Sequence, residues 1–151
     1  MANSVQFEVE RSDLEIRDRT GYSYRFIFKE DRPEGLATVL FYPIGDCNIA
    51  LLTRLQELGL QPSQIVAHLN EFYPNGMGIP DNSPLMGQGV GTAALELIVA
   101  DAKERDAQAM RVFSTGRPGM VTFMDKHGFE TYMTAKPKKD RTSARLAFKL
   151  L

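Results

Sequence analysis

The sequence has no tryptophan, one cysteine and two histidines among its 151 residues. A lone Cys47 excludes an internal disulfide and a cysteine-built zinc cluster, since each needs further thiols. His68 and His127 stand far apart with no Cys/His/Asp grouping around either, so no metal site is expected. No apolar run approaches ~20 residues, which excludes a conventional membrane-spanning helix. Met1 to Val5 lacks the basic start and apolar stretch of a signal peptide. A cytoplasmic protein without a membrane partner is therefore expected. Excess charge of one sign is also missing: 18 Lys and Arg face 19 Asp and Glu. A hydrophobic fraction of 43% excludes a mainly disordered chain. The length fits one domain over 1–151, large enough to bury its core without covalent staples.

The balanced total conceals an acidic middle and a basic end. Residues 36–100 carry one basic and five acidic side chains, whereas residues 134–151 carry six basic side chains and only Asp140 as an acid. No aromatic interleaves the run Lys136, Lys138, Lys139 and Arg141, as a stacking platform for single-stranded nucleic acid requires. A solvated hairpin turn accounts for these residues, and nucleic acid is not an expected partner.

Hydrophobic periodicity places the elements. Val5, Phe7 and Val9 alternate as a half-buried strand, with Leu14 and Ile16 opening a second. Tyr22, Tyr24, Phe26 and Phe28 form an aromatic strand face, and Leu36 to Tyr42 reads as a central strand stopped by Pro43. The joins are too short for helical crossovers, so these strands are antiparallel. Asp46 or Asn48 caps a helix through Ile49, Leu52, Leu55 and Leu58. Ile65, Val66, Leu69, Phe72 and Tyr73 fall at i, i+1, i+4, i+7 and i+8, which predicts a second helix over 65–73, with a strand as the alternative. Residues 74–84 hold three prolines and read as an irregular loop. Residues 46–85 thus resemble a helical insertion. A helix over 89–108 with Val90, Ala93, Ala94, Leu97, Ile98 and Ala102 inward follows. Then come a strand at 110–114, a helix ending near Lys126, a strand from Phe129 and a last strand over 144–151. The layout is α+β.

The segment Met86-Gly-Gln-Gly-Val-Gly-Thr92 carries the chemistry. Glycines at alternate positions strip bulk from a tight turn, so several backbone N–H groups converge at the start of a helix. With the helix dipole behind them, these groups bind phosphate or pyrophosphate without a lysine. A nucleoside-triphosphate loop wants Gly-Lys-Ser/Thr, but this turn ends Gly91-Thr92-Ala93. A dinucleotide turn wants an acid at the tip of the next strand, where Phe113-Ser114-Thr115 stands instead.

The turn, with the later Phe123-Met124-Asp125-Lys126-His127-Gly128-Phe129, resembles the GNAT superfamily of acyl-CoA N-acyltransferases. That family carries Arg/Gln-x-x-Gly-x-Gly/Ala before a long helix and then Phe-Tyr-x-Lys-x-Gly-Phe; the likeness covers about residues 84–151. It implies a single GNAT-like α+β domain, a bent mixed β-sheet with helices on both faces. It also implies acetyl-CoA or another acyl-CoA as cofactor, with pyrophosphate on Gly87, Gln88, Gly89, Val90, Gly91 and Thr92. Ser114 and Thr115 would line the cleft beside the pantetheine arm. The acceptor would be an amine-bearing small molecule or a protein lysine, attacking the thioester directly. A homodimer through the last strand is compatible with the family.

Two positions depart from the pattern. Met86 stands where the family has Arg or Gln, with Gln88 offering an alternative register, and Met124 occupies the tyrosine position and cannot donate a proton. The catalytic residues are therefore unassigned. Enzyme and non-catalytic coenzyme-A sensor, or protein-interaction scaffold, remain competing readings. Tyr132 is weighed as a substitute donor against a packed sheet residue, and His127 as a base against a helix-end cap. Glu71 is a base if 65–73 is a strand. Cys47 is weighed as a nucleophile against a small buried hydrophobe.

Overall fold

A computed structural model describes residues 6–77, 79, 83–113, 118–134 and 144–151. Three strands come first: β1 (Phe7–Ile16), β2 (Arg19–Phe28) and β3 (Gly35–Pro43). A 3₁₀ turn (Ile44–Asp46) leads to α1 (Ile49–Glu57) and β4 (Ile65–Tyr73). Then follow α2 (Val90–Glu104), β5 (Ala107–Phe113), α3 (Pro118–Lys126), β6 (Glu130–Thr134) and β7 (Arg145–Leu150). The strands form one sheet in the order β1-β2-β3-β4-β5-β7-β6. Among the described residues only β4 and β5 are parallel, as their helical crossover through α2 requires. Leu14 and Ile16 do not open a separate strand. β1 pairs with β2 from Phe7 to Ile16, and the hairpin closes on Arg17 and Asp18, both at positive φ.

Alternation along the strands feeds two cores. Ala37, Val39 and Phe41 of β3 meet Leu69, Met110 and the inner faces of α2 and α3. Leu40 and Tyr42 point the other way and join Val66, Ala109, Phe148 and the α1 residues Leu51 and Leu55. Helices thus cover both faces of a mixed sheet. The inner face of α2 comprises Val90, Ala94, Leu95, Ile98 and Ala102; Ala93, expected inward, is exposed. The Tyr24 hydroxyl donates to Asp101 Oδ2 at 2.7 Å and Arg11 approaches the same oxygen at 3.2 Å, which ties α2 to the sheet. β5 begins at Ala107, earlier than expected, because Asp106 at φ 60° turns the chain directly out of α2.

The helix expected over 65–73 is β4, a strand at the centre of the sheet. Its helix-like spacing has two physical causes. The strand is buried on both faces, Val66 in one core and Ala67 in the other. Thr38 then pairs with Glu71 while Val39 pairs with Leu69, so Asn70 is an extra residue in a β-bulge. The bulge shifts the alternation by one position, carrying the inward series from Ala67 and Leu69 to Phe72. Only α1 of the expected helical pair remains a helix.

Candidate active site

The glycine turn enters α2 through two left-handed residues, Gly87 at φ 75° and Gly89 at φ 81°. A Cβ at either would meet nothing within 4 Å, so backbone conformation alone demands glycine there. Gly91 is different: its Cβ would lie 3.2 Å from Phe123, and glycine makes room for that ring. Met86 N–H donates to Ser83 and Ala93 N–H to Gly89. Among the described residues no carbonyl accepts from the N–H groups of Gly87 through Thr92. Gly87, Gln88 and Gly89 are exposed, Gly91 and Thr92 are partly so, Val90 is buried, and none of the six N–H groups is spent on a described carbonyl.

They open onto a cavity of about 380 Å³. Phe72, Tyr73 and Asn75 at the end of β4 form one wall, Met86 to Thr92 the second, and Met120, Phe123 and Lys126 of α3 the third. Phe123 stacks on Phe72 with ring centroids 5.5 Å apart. His127 is a strut between helices: its Nε2 lies 3.1 Å from Thr92 Oγ1, and burial followed by Lys126 and Lys149 lowers its pKa. Beside the cavity the parallel strands separate. Their pairing ends at Leu69 and Val112, whereas β4 stays paired with β3 as far as Tyr73. The bulge at Asn70 sits at the parting point.

Arg32, from the turn after β2, braces this site. Its guanidinium lies 3.8 Å over the Phe28 ring and donates to Asn75 Oδ1 at 2.9 Å and Gln88 Oε1 at 3.2 Å. Gln88 also donates to the Pro84 carbonyl, so its side chain is folded back onto its own loop. Because arginine only donates, the Asn75 oxygen is the atom that faces Arg32. Nothing in the local sequence around Arg32 or Asn75 signals these contacts.

On the opposite face of the sheet the polar side chains of β3, β4 and β5 meet. Glu71 accepts from Thr38 Oγ1 at 3.3 Å. The Tyr42 hydroxyl accepts from Arg111 at 2.9 Å and lies 3.1 Å from His68 Nδ1. Burial, then Arg111 and Arg19, hold the His68 pKa down at about 4, so the ring is neutral near pH 7. Of the other candidate residues, Met124, 2% exposed, is core, and Cys47 is buried with its thiol pKa raised by burial. Tyr132 is a half-buried sheet residue against Phe148. Ser114 and Thr115 lie outside the described residues. No described helix is long and apolar enough to cross a membrane, and no described cluster of His, Cys, Asp and Glu could hold a metal ion.

No protein-family model matches the sequence and no curated protein matches it. Solved structures do match in shape. A Bacillus subtilis acetyltransferase in complex with CoA is 9% identical with a TM-score of 0.60, covering 97% of this chain and 99% of that one. An N-acyl amino acid synthase from uncultured soil microbes is 10% identical with a TM-score of 0.58, covering 96% and 92%. The NatC complex bound to Gag peptide and CoA is 10% identical with a TM-score of 0.58, covering 85% and 70%. Identities this low speak for fold alone. With its parallel pair splayed beside a glycine-led helix, the chain has a GNAT-like fold.

Proposed function

We propose that this protein is an acyl-CoA-dependent N-acyltransferase, transferring an acetyl group from acetyl-CoA to a primary amine by direct attack. The observation that carries the proposal is the row of unspent N–H groups from Gly87 to Thr92, at the positive end of α2 and open to the cavity. Two linked phosphates supply the oxygen acceptors such a turn lacks. Lys126 adds a cation at the cavity wall, where Met86 offers none. The pantetheine arm would run into the gap between β4 and β5, where backbone edges no longer pair with each other.

Transfer then needs a base, a donor and a neutral amine. Beyond the bulge Glu71 and Tyr73 alternate with Phe72, so they leave β4 on one side. We assign Glu71 as the base, directly or through a water, and Tyr73 as the donor. The amine nitrogen attacks the thioester carbonyl carbon, forming the C–N bond, and Glu71 takes the proton the nitrogen sheds. Collapse of the tetrahedral intermediate breaks the C–S bond, and the departing thiolate takes the Tyr73 proton. The products are an amide and free coenzyme A.

Thermal unfolding with and without acetyl-CoA tests the cofactor half, because a ligand of the folded state raises the melting temperature by mass action. Gly89→Glu places bulk and negative charge at the phosphates and should abolish that shift while helical circular dichroism persists. An undiminished shift in this variant would refute the assigned site. Thiol release across an amine panel tests the second half; stabilisation without release would favour a coenzyme-A sensor.

A further inference from the structure

The face opposite the cavity holds two guanidinium groups without a counter-ion among the described residues. Arg111 lies in β5, half-buried; one Nη donates to Tyr42, and its buried Nε has no hydrogen-bond acceptor. The Tyr132 hydroxyl, flanked by Asn48 and Arg111, is likewise buried without a hydrogen bond of good geometry. Arg19 lies 3.8 Å over the ring of the same Tyr42. Ion pairs among the described residues occupy Arg11, Arg25, Arg54 and Arg145, and none reaches Arg19 or Arg111. Removing a cation from water without an anion beside it is costly. His68, neutral between the two arginines, adds no negative charge.

The location gives this charge a use. Arg111 pairs with His68 one step before β4 and β5 part. Glu71 follows on the same face, separated by three residues of β4, or about 7–10 Å of strand at the usual rise. We propose that the acceptor bears a carboxylate as well as its amine, the carboxylate held by Arg111 with Arg19 behind it and by the Tyr132 hydroxyl. A guanidinium fork matches a carboxylate through two parallel hydrogen bonds, which an uncharged amide does not reproduce. The substrate class is thus amino acids and related amino carboxylates. This inference rests on the N-acyltransferase reading for its amine, while its carboxylate site stands on Arg19 and Arg111 alone.

The test uses reaction products as probes, so it needs neither cofactor nor turnover. N-acetylglycine, N-acetyl-β-alanine and N-acetyl-4-aminobutyrate are titrated against the corresponding amides, with the His68 ring resonances as readout. At least one acid should bind about 10- to 100-fold more tightly than its amide, the worth of hydrogen bonds to a charged group. Arg111→Gln and Arg19→Gln should erase most of that preference, and Arg111→Lys should restore part of it. An unchanged far-ultraviolet circular dichroism spectrum and a cooperative unfolding transition confirm that each variant is folded. Equal binding of all acids and amides, or a preference that survives Arg111→Gln and Arg19→Gln, overturns the proposal. Arg111-dependent acid binding without any acetyl-CoA effect would instead retain the carboxylate site and sink the transferase reading.

Discussion

Acidification should destabilise this protein in large part through His68. Its imidazole is packed between β3 and β5, with Tyr42 on Nδ1 and two guanidinium groups nearby. Folding lowers its pKa from 6.5 to about 4. The unfolded chain therefore binds the proton more tightly, and stability is lost as pH falls from about 6.5 toward 4. Integrating between those values, the loss from pH 7.5 to pH 5.0 is about 2 kcal/mol. For a domain of this size that corresponds to about 4–8 °C in melting temperature. Urea unfolding of the wild type and of His68→Gln at both pH values measures it, since the difference between their slopes removes His127 and the carboxylates. The histidine proton resonances locate the titration independently. A folded-state His68 titrating near 6.5, or identical pH slopes in the two proteins, would refute the reasoning.

Other substitutions probe other links. Glu71→Gln should lower kcat by about 10²- to 10⁴-fold, the usual worth of general base catalysis, and leave the acetyl-CoA thermal shift intact. A kcat within twofold of the wild type would remove Glu71 from the chemistry. Gly21→Ala should cost more than about 3 kcal/mol, because its Cβ would lie 1.8 Å from the Val39 carbonyl oxygen of the paired strand; chemical denaturation measures this, and a loss below 1 kcal/mol would contradict the close strand approach. Met124→Tyr should cost about 1–3 kcal/mol through overpacking, without raising turnover, because position 124 faces the core. Cys47 should react with a thiol reagent only on unfolding, being buried with a raised pKa; reaction of the native protein at the rate of a free thiol would contradict this.

Local chemistry was enough to place the glycine turn, the α2 start and most strands. Gly87 and Gly89 must be glycine because of their own φ angles, a constraint the chain carries without reference to its neighbours. Alternation in β2 and β3 survives because the two strands pair with each other in unbroken register. β4 escaped the same reasoning because the bulge at Asn70 shifts its phase, and because it is covered on both faces. A bulge depends on the partner strand, and no window of one strand contains that partner.

The site divides along the same line. The part proposed to face phosphate lies in seven consecutive residues, 86–92, so spacing and composition determine which groups converge. Its remaining members come from distant segments: Arg32 reaches Asn75 and Gln88, and Tyr42 joins His68 and Arg111. An arginine has no intrinsic destination, since its long side chain can solvate, pair or stack at similar cost in water. Strand order and register put Arg111 beside His68 and leave it without an acid, and that assignment belongs to tertiary packing alone.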